Sequence, residues 1–209
     1  MSVALKICGI RRVEDVQYLN KCCPDYAGFI LSPPFWRYVP VETLQILSLE
    51  LDSMVKRVGV FVNPTLEEIR NYAMYLDIVQ LHGEETAGFI LDIRCFIPKL
   101  EIWKAVRVQT PEDISKADKL PVDKLVLDSF SADSHGGTGT TAPWDIIRKN
   151  RPEKPFFLAG GISAENVLDA IKAVNPFGID VSSSIETDKC KDPEKIKKFV
   201  DQLKFEKEG

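Results

Sequence analysis

The sequence predicts an α/β protein in which eight parallel strands, each followed by a helix, close into a single (β/α)8 barrel over residues 1–209. Short β-like runs alternate with amphipathic helical stretches along the whole chain, which implies a parallel sheet with right-handed crossovers. Eight such units are the number that closes a TIM barrel. A chain of 209 residues is long enough for one well-buried core and short for two domains.

The strands are predicted from short apolar runs that end in polar or turn-forming residues. In chain order these runs are Ala4 to Cys8, Tyr26 to Leu31, Arg57 to Val62, Ile78 to Leu81, Ile102 to Val106, Leu125 to Asp128, Pro155 to Ala159 and Gly178 to Val181. The alternative architecture is a doubly wound open sheet. The sequence argues against it, because no GxGxxG follows the first run and no middle is evident where the strand order reverses.

The helices are predicted from the amphipathic stretches between the runs. Asn63, Thr110 and Asp192 are expected N-caps, because proline follows each of them at the first helical position. Ser163 is the expected cap of the helix after the seventh run. The helical stretches are Val13 to Lys21, Val41 to Leu51, Asn63 to about Tyr75, Glu84 to about Ile93, one from Thr110, Trp144 to Lys149, one after Ser163 and one after Asp192.

Composition restricts the classes of function. The chain is 44% hydrophobic and 28% charged, and its net charge of −4 argues against a broad nucleic-acid interface. No apolar run approaches the ~20 residues of a membrane span, and the N-terminus lacks the apolar core of a signal peptide. Five cysteines without CxxC spacing and two histidines form no zinc pattern. We therefore expect a reduced, metal-free cytoplasmic protein.

Two strand ends near the C-terminus carry the residues of a phosphate site. Gly160 and Gly161 follow the seventh run, and Ser182, Ser183 and Ser184 follow the eighth. Glycines let backbone N–H groups approach an anion closely, and small hydroxyl residues add hydrogen-bond donors without bulk. Phosphate sites lie after strands 7 and 8 of many (β/α)8 barrels. Either turn alone is also compatible with an ordinary strand-to-helix connection, so the prediction depends on the pair.

The active site of such a barrel lies at the C-terminal ends of its strands. The polar residues predicted there are Cys8, Arg37, Asn63, Gln80, His82, Arg107, Asp128, the glycine pair at 160–161 and the serines at 182–183.

Cys8 and Asp128 are the expected proton-transfer residues. Period-2 alternation places Lys6 on the same face as Cys8, and a nearby cation favours the thiolate form of a cysteine. Because barrel closure puts strand 8 beside strand 1, Lys6 is expected to pair with Asp180. Burial of Asp128 would keep its carboxyl protonated and able to act as an acid. The alternatives are a small core residue for Cys8, and helix capping or surface solvation for Asp128.

Two further side chains have candidate roles at the pocket rim. Arg37 suits bidentate capture of a carboxylate, and its alternative is a surface arginine packed on Trp36 or Tyr38. His82 is expected to be structural or to form a supporting hydrogen bond behind the reacting groups. The glycine-rich loop SFSADSHGGTGTT suits a lid that closes over substrate.

Motifs along the whole chain coincide with those of one enzyme family. They are KICGI at 6–10, GFIL at 28–31, RVGVFVN at 57–63, VQLHGEE at 79–85, LVLDS at 125–129, GGTG at 136–139, LAGGISAENV at 158–167 and DVSSSIE at 180–186. With these motifs the chain resembles phosphoribosylanthranilate isomerase of tryptophan biosynthesis, and KICG together with VQLHGEE is highly specific as a set.

The resemblance implies a (β/α)8 barrel without metal or organic cofactor. It also implies an Amadori rearrangement, which converts N-(5-phosphoribosyl)anthranilate to 1-(2-carboxyphenylamino)-1-deoxyribulose 5-phosphate. The family's general base matches Cys8, its general acid matches Asp128, and its carboxylate-binding arginine matches Arg37. Its phosphate-binding residues match Gly160, Gly161, Ser182 and Ser183. The expected partner is this small-molecule substrate, with no nucleic acid and no membrane, in a monomer or homodimer.

Two departures from the family pattern lie near the C-terminus. Ser184 replaces the glycine of the usual DVSSGVE. Serine would weaken phosphate binding if that position needs a positive φ or a close approach of the phosphate, and the alternative is that its extra hydroxyl helps binding. Cys190 stands near the place of a second family glycine, in PGxKD. This second difference concerns the last loop and not the chemistry.

Three other barrels are alternatives. The histidine-pathway isomerase performs the same rearrangement with an aspartate at the end of strand 1, where this chain has Cys8. A non-catalytic phosphosugar-binding barrel would need neither Cys8 nor Asp128. Indole-glycerol-phosphate synthase shares the barrel and the phosphate site, but its lysine and glutamate pattern is absent here.

Overall fold

A computed structural model of the protein describes residues 3–128 and 142–205. Its eight main strands form a closed barrel, in which each strand pairs with the next in chain order and β8 returns to β1. All of these pairings are parallel. The predicted (β/α)8 fold is confirmed.

The barrel strands are β1 (Ala4–Cys8), β2 (Tyr26–Ile30), β3 (Lys56–Phe61), β4 (Ile78–Leu81), β5 (Glu101–Arg107), β6 (Lys124–Asp128), β7 (Phe156–Ala159) and β8 (Gly178–Val181). The helices are α1 (Val13–Cys22), α2 (Val41–Glu50), α3 (Leu66–Tyr72), α4 (Ala87–Phe96), α5 (Pro111–Asp118), α6 (Ala142–Lys149), α7 (Val167–Val174) and α8 (Pro193–Phe205). Two 3₁₀ turns cover Ala73–Tyr75 and Ser183–Ile185, and a small hairpin after β8 pairs β9 (Glu186–Thr187) with β10 (Cys190–Lys191).

Every predicted strand is present, but two helix starts were predicted too early. The cap of α3 is Thr65, whose hydroxyl accepts a hydrogen bond from the Glu68 backbone N–H at 3.1 Å. Asn63 instead adopts a left-handed φ of 48°, and its side-chain oxygen accepts from the Glu84 N–H. It therefore connects two loops. The α4 helix begins only after Thr86, whose hydroxyl caps it.

The other start signals have mixed outcomes. Asp192 caps α8 as predicted, because its carboxylate accepts from the Glu194 and Lys195 N–H groups at 2.9 and 3.2 Å. Ser163 does not cap α7. The N-cap of that helix is Asn166, whose side-chain oxygen reaches back to the Ser163 N–H at 2.8 Å.

Aromatic side chains fill the lower part of the barrel. Tyr26, Trp103 and Phe157 point inward from β2, β5 and β7, with ring centroids 4.7 to 5.3 Å apart. All three belong to an interior cluster separate from the larger core between strands and helices. The interior is therefore a packed core and not a pore, and the space left for a ligand lies above it, at the C-terminal strand ends.

No helix within the described ranges has the length and apolar character needed to cross a membrane.

Removing one ring from this aromatic cluster should destabilise the barrel. Phe157→Ala is expected to lower the free energy of unfolding by about 3–5 kcal/mol, because it leaves a cavity in a close-packed interior. Phe96→Ala is the matched control, since Phe96 lies on α4 with 64% of its surface exposed and should cost under about 0.5 kcal/mol. Urea denaturation followed by circular dichroism measures both. A loss of unfolding free energy in Phe157→Ala as small as that in Phe96→Ala would show that the interior ring is not essential to the core.

Candidate active site

A cavity of about 320 Å³ opens at the C-terminal ends of the barrel strands. It brings together every side chain or turn of the predicted site except Lys6, which lies below its wall. The predicted residues that line it are Cys8, Arg37, His82, Asp128, Gly160, Gly161, Asp180, Ser182 and Ser183. Of the other strand-end candidates in the described chain, Gln80 lines the cavity, whereas Asn63 and Arg107 do not.

Cys8 ends β1 with a free thiol at the base of this cavity. Its space depends on Gly28, directly opposite on β2, because a Cβ at that position would lie 2.7 Å from the Cys8 sulfur. The Ser182 hydroxyl donates to the Cys8 carbonyl at 3.0 Å, which ties the end of β8 to the end of β1. The contact between Gly28 and Cys8 was missed in the sequence, where Gly28 was only part of a motif.

Lys6 and Asp180 form the ion pair that the sequence predicted. They are direct partners in the pairing of β1 with β8, and the Lys6 ammonium lies 2.8 Å from one Asp180 oxygen. Burial lowers the pKa of Lys6, but the attraction of Asp180 and Cys8 outweighs burial and raises it above 10.5. Lys6 is therefore a cation beneath Cys8.

Asp128 and His82 lie on the opposite wall. Asp128 ends β6, and His82 follows β4, where its backbone N–H donates to the Phe61 carbonyl at 2.7 Å. Partial desolvation lowers the pKa of His82 below 6.5, and the nearby Asp128 carboxylate opposes this shift. The shift is small, because the side chain of His82 remains exposed to solvent. His82 is therefore mainly neutral at neutral pH. The expected lid at 129–141 lies outside the described residues.

A second buried ion pair orders the loop that carries His82. The Lys104 ammonium on β5 donates to the Glu85 carboxylate at 3.0 Å, and Glu85 accepts the Asn63 and Gly83 N–H groups at 2.9 Å. A Cβ at Gly83 would lie 2.3 Å from the Asn63 side-chain oxygen. The VQLHGEE motif therefore sets the shape of two loops at the cavity, a role that the sequence analysis did not assign.

The two predicted phosphate turns lie side by side after the paired strands β7 and β8. Gly160 and Gly161 have φ of 85° and 67°, a left-handed conformation that glycine adopts without strain. Ser184 lies outside that left-handed region, within the 3₁₀ turn Ser183–Ile185, and its hydroxyl donates to the Ile162 carbonyl at 2.6 Å. Ser184 therefore does not carry the backbone strain that a positive φ would impose on a serine.

Arg37 lines the cavity and is also packed on Trp36. The guanidinium carbon lies 4.1 Å from the centroid of the Trp36 ring. Its Nε and one terminal nitrogen donate to the two oxygens of Glu186, at 3.2 and 2.6 Å. The sequence predicted bidentate capture of a carboxylate by Arg37, with packing on Trp36 or Tyr38 as the alternative. The structure shows the packing on Trp36, and Glu186 takes one edge of the guanidinium fork. Glu186 was not a predicted site residue.

Gln80 contributes an open acceptor to the cavity. It is 1% exposed on β4, and its side-chain oxygen has no hydrogen-bond partner among the described residues. One oxygen of Asp180 is in the same state. A buried acceptor without a donor is costly, so both atoms suit hydrogen bonds from a bound ligand.

The described residues contain no group of three or more His, Cys, Asp or Glu side chains that could hold a metal ion.

Comparison with known proteins identifies the family to which this barrel belongs. The sequence model of the N-(5′-phosphoribosyl)anthranilate isomerase family matches residues 5–202. The chain belongs to this family. An isomerase of the same name from Clostridium acetobutylicum is 40% identical over 202 residues, with 95% of this chain and 96% of the relative covered. Another, from Thermoanaerobacter sp., is 38% identical over 97% of this chain and 98% of its own length.

Solved isomerase structures have the same fold. The phosphoribosylanthranilate isomerase of Thermotoga maritima has a TM-score of 0.86 at 36% identity, with 97% of this chain and 99% of that chain covered. A second isomerase structure, in complex with reduced 1-(o-carboxyphenylamino)-1-deoxyribulose 5-phosphate, has a TM-score of 0.84 at 35% identity and the same coverage. The resemblance found in the sequence is confirmed, and the protein is an isomerase of tryptophan biosynthesis.

Breaking the pair of Lys6 and Asp180 should destabilise this isomerase. Lys6→Met leaves the Asp180 carboxylate buried without its cation, which typically costs about 3–5 kcal/mol. The matched control is Lys198→Met. Its partner, Glu165, lies on the surface with it, where water replaces the lost contact, so the free energy of unfolding should not change. Urea denaturation decides, and equal stability of the two variants would contradict a structural role for the buried pair.

His82 should contribute to the pH dependence of stability. Because the pKa of His82 is lowered in the folded state, the unfolded chain binds a proton more readily below about pH 6.5, and stability falls as the pH falls. His82→Gln should therefore lose slightly less stability than wild type between about pH 8 and about pH 5.5, a small difference because His82 is exposed. Denaturation curves at the two pH values measure this difference. Parallel losses in both proteins would refute the assigned direction.

Proposed function

We propose that the protein converts N-(5-phosphoribosyl)anthranilate to 1-(2-carboxyphenylamino)-1-deoxyribulose 5-phosphate, with Cys8 as general base and Asp128 as general acid. The observation that carries this proposal is the meeting of four chemical groups in one cavity: the Cys8 thiol, the Asp128 carboxyl, the Arg37 guanidinium and the turns after β7 and β8. A related isomerase binds a reduced form of the product, which has one phosphate and one carboxylate.

Ring opening is the first step. Asp128 donates its proton to the ribose ring oxygen as the bond from that oxygen to C1′ breaks, and the electron pair of the bond stays on oxygen. The lone pair of the anthranilate nitrogen then forms a C=N bond to C1′, which gives a protonated Schiff base. A carboxyl group at the end of a strand, in the wall of the cavity, suits this acid role.

Proton removal from carbon is the second step. The thiolate of Cys8 takes the C2′ proton, and the electrons of the C–H bond form a C1′–C2′ double bond as the C=N electrons return to nitrogen. The resulting enolamine tautomerises to the ketone. Lys6, held below Cys8 by Asp180, places a positive charge next to the sulfur that takes this proton. Only protons move in this scheme, so it requires no metal or organic cofactor.

The two ends of the substrate carry its negative charges. We assign the phosphate to Gly160, Gly161, Ser182 and Ser183, whose turns follow adjacent parallel strands. The carboxylate goes to the edge of the Arg37 fork that Glu186 leaves open. Asp180 holds Lys6 in place, and His82 lies beside the acid.

The remaining proposals concern the protein in the cell. We propose that the chain acts as one domain, in the cytoplasm, as a monomer or homodimer without nucleic-acid partners. The Thermotoga maritima isomerase has been described as dimeric, and monomers have been generated from it.

Turnover of freshly generated phosphoribosylanthranilate tests the assignment of Cys8 and Asp128. The fluorescence of the substrate should fall rapidly with wild type. The kcat of Cys8→Ala and of Asp128→Asn should each be at least ~10²-fold lower, which is the low end for removal of a general acid or base. Cys95→Ala and Asp92→Asn are matched controls on the exposed surface of α4 and should keep wild-type rates.

Two outcomes would contradict the proposal in different ways. If wild type binds substrate or product but is inert, the chain is a phosphosugar-binding barrel and not a catalyst. If both site variants keep full activity, the isomerase reaction stands and the assigned acid and base are wrong.

A further inference from the structure

A buried charge network connects the two ends of the proposed substrate site. Arg37 gives two hydrogen bonds to Glu186, and the Lys191 ammonium donates to the same carboxylate at 2.8 Å and to the Ser182 carbonyl at 3.0 Å. The Glu186 and Lys191 side chains are 8% and 1% exposed. They lie on the two strands of the hairpin β9–β10, where Lys191 is the direct partner of Glu186.

The charges of this network do not cancel. Burial raises the pKa of Glu186, but hydrogen bonds from Arg37 and Lys191 outweigh burial and lower it below 4.5, so the carboxylate is ionised at neutral pH. Burial also lowers the pKa of Lys191, and Glu186 restores only part of the loss. One carboxylate therefore lies between two basic side chains. This arrangement favours a further anion beside Arg37.

The network fixes the direction in which Arg37 points. Trp36 covers one face of the guanidinium, and Glu186 holds one edge of it. A Cβ at Gly9 would lie 2.8 Å from the Arg37 side chain, so this position of Arg37 depends on a glycine there. An arginine that is already ordered loses less side-chain entropy when it binds a carboxylate.

Lys191 also acts on the other end of the site. Its contact with the Ser182 carbonyl holds the residue that lies between the end of β8 and the 3₁₀ turn Ser183–Ile185. The Ser182 hydroxyl in turn donates to the Cys8 carbonyl. One ammonium group therefore connects the carboxylate-binding arginine to the phosphate turn.

We propose that Glu186 and Lys191 are positioning residues: Glu186 orients Arg37 for the substrate carboxylate, and Lys191 holds both Glu186 and the Ser182 end of the phosphate turn. This inference rests on the proposed function, because it assumes a ligand with a carboxylate at one end and a phosphate at the other. The carboxylate end depends on both residues, whereas the phosphate end depends on Lys191 alone.

The test compares two variants that remove different contacts of the network. Glu186→Gln keeps the size of the side chain but removes the charge that orients Arg37, and Lys191→Met removes both contacts of the ammonium. Lys191→Arg keeps the positive charge and the donors. Lys195→Met is the matched control, because Lys195 is exposed and donates to the Glu186 backbone carbonyl rather than to its carboxylate.

Steady-state kinetics with phosphoribosylanthranilate, and inhibition by anthranilate and by inorganic phosphate, separate the two ends. Glu186→Gln should raise KM about tenfold, with kcat within about threefold and phosphate inhibition unchanged. Lys191→Met should weaken inhibition by both probes, and Lys191→Arg should recover at least half of the loss on a logarithmic scale. Lys195→Met should behave as wild type.

Three kinetic results would overturn the inference: an unchanged KM in Glu186→Gln, phosphate inhibition that weakens as much in Glu186→Gln as in Lys191→Met, or inhibition constants in Lys191→Arg no better than those in Lys191→Met. Thermal unfolding of each variant identifies losses that merely follow stability, which would also overturn it. An inert wild type would refute the proposed function instead. Direct titration with anthranilate and with phosphate would then still test the network.

Discussion

The seam where β8 meets β1 is the constraint on which the site depends. A closed parallel barrel brings the last strand beside the first, so residues far apart in the sequence become direct neighbours. Lys6 and Asp180 meet at this seam as a buried ion pair, and Ser182 reaches the Cys8 carbonyl just above it. The seam therefore places a cation under the thiol and the proposed phosphate turn beside it. Neither contact would exist if the barrel were open.

The barrel interior has two layers with different roles, one for packing and one for the cavity. The lower layer is aromatic, with Tyr26, Trp103 and Phe157 in mutual contact, and it supplies dense apolar packing. The upper layer contains Cys8, Gln80 and other polar side chains around the cavity. Buried polar groups are expensive unless they are paired or used. The stability of the lower layer and the strand–helix core compensates for polar atoms that the upper layer leaves open for a ligand.

Charged side chains behind the cavity organise the loops that the barrel alone leaves free. Glu85 and Lys104 join the loops after β3 and β4, and Glu186 and Lys191 join those after β2 and β8. Each network has a carboxylate in its centre that accepts several hydrogen bonds. Such a carboxylate holds the loops in one arrangement through hydrogen bonds, because a short loop has too little apolar surface to be held by packing alone.

The sequence by itself determined the fold, the order of the strands and the identity of most cavity residues. Period-2 alternation and the rule that active sites lie at C-terminal strand ends placed Cys8, Asp128 and the Gly160–Gly161 pair correctly, because these depend only on local pattern and topology. The pairing of Lys6 with Asp180 followed from closure alone. Only the tertiary structure revealed Gly28 against Cys8, and Glu186 on Arg37. These contacts depend on strand register and on the direction of side chains across loops. The separation of two residues along the chain does not reveal either of them. The starts of α3 and α4, whose caps are Thr65 and Thr86, were predicted too early, because Asn63 and Glu85 join neighbouring loops instead of belonging to a helix.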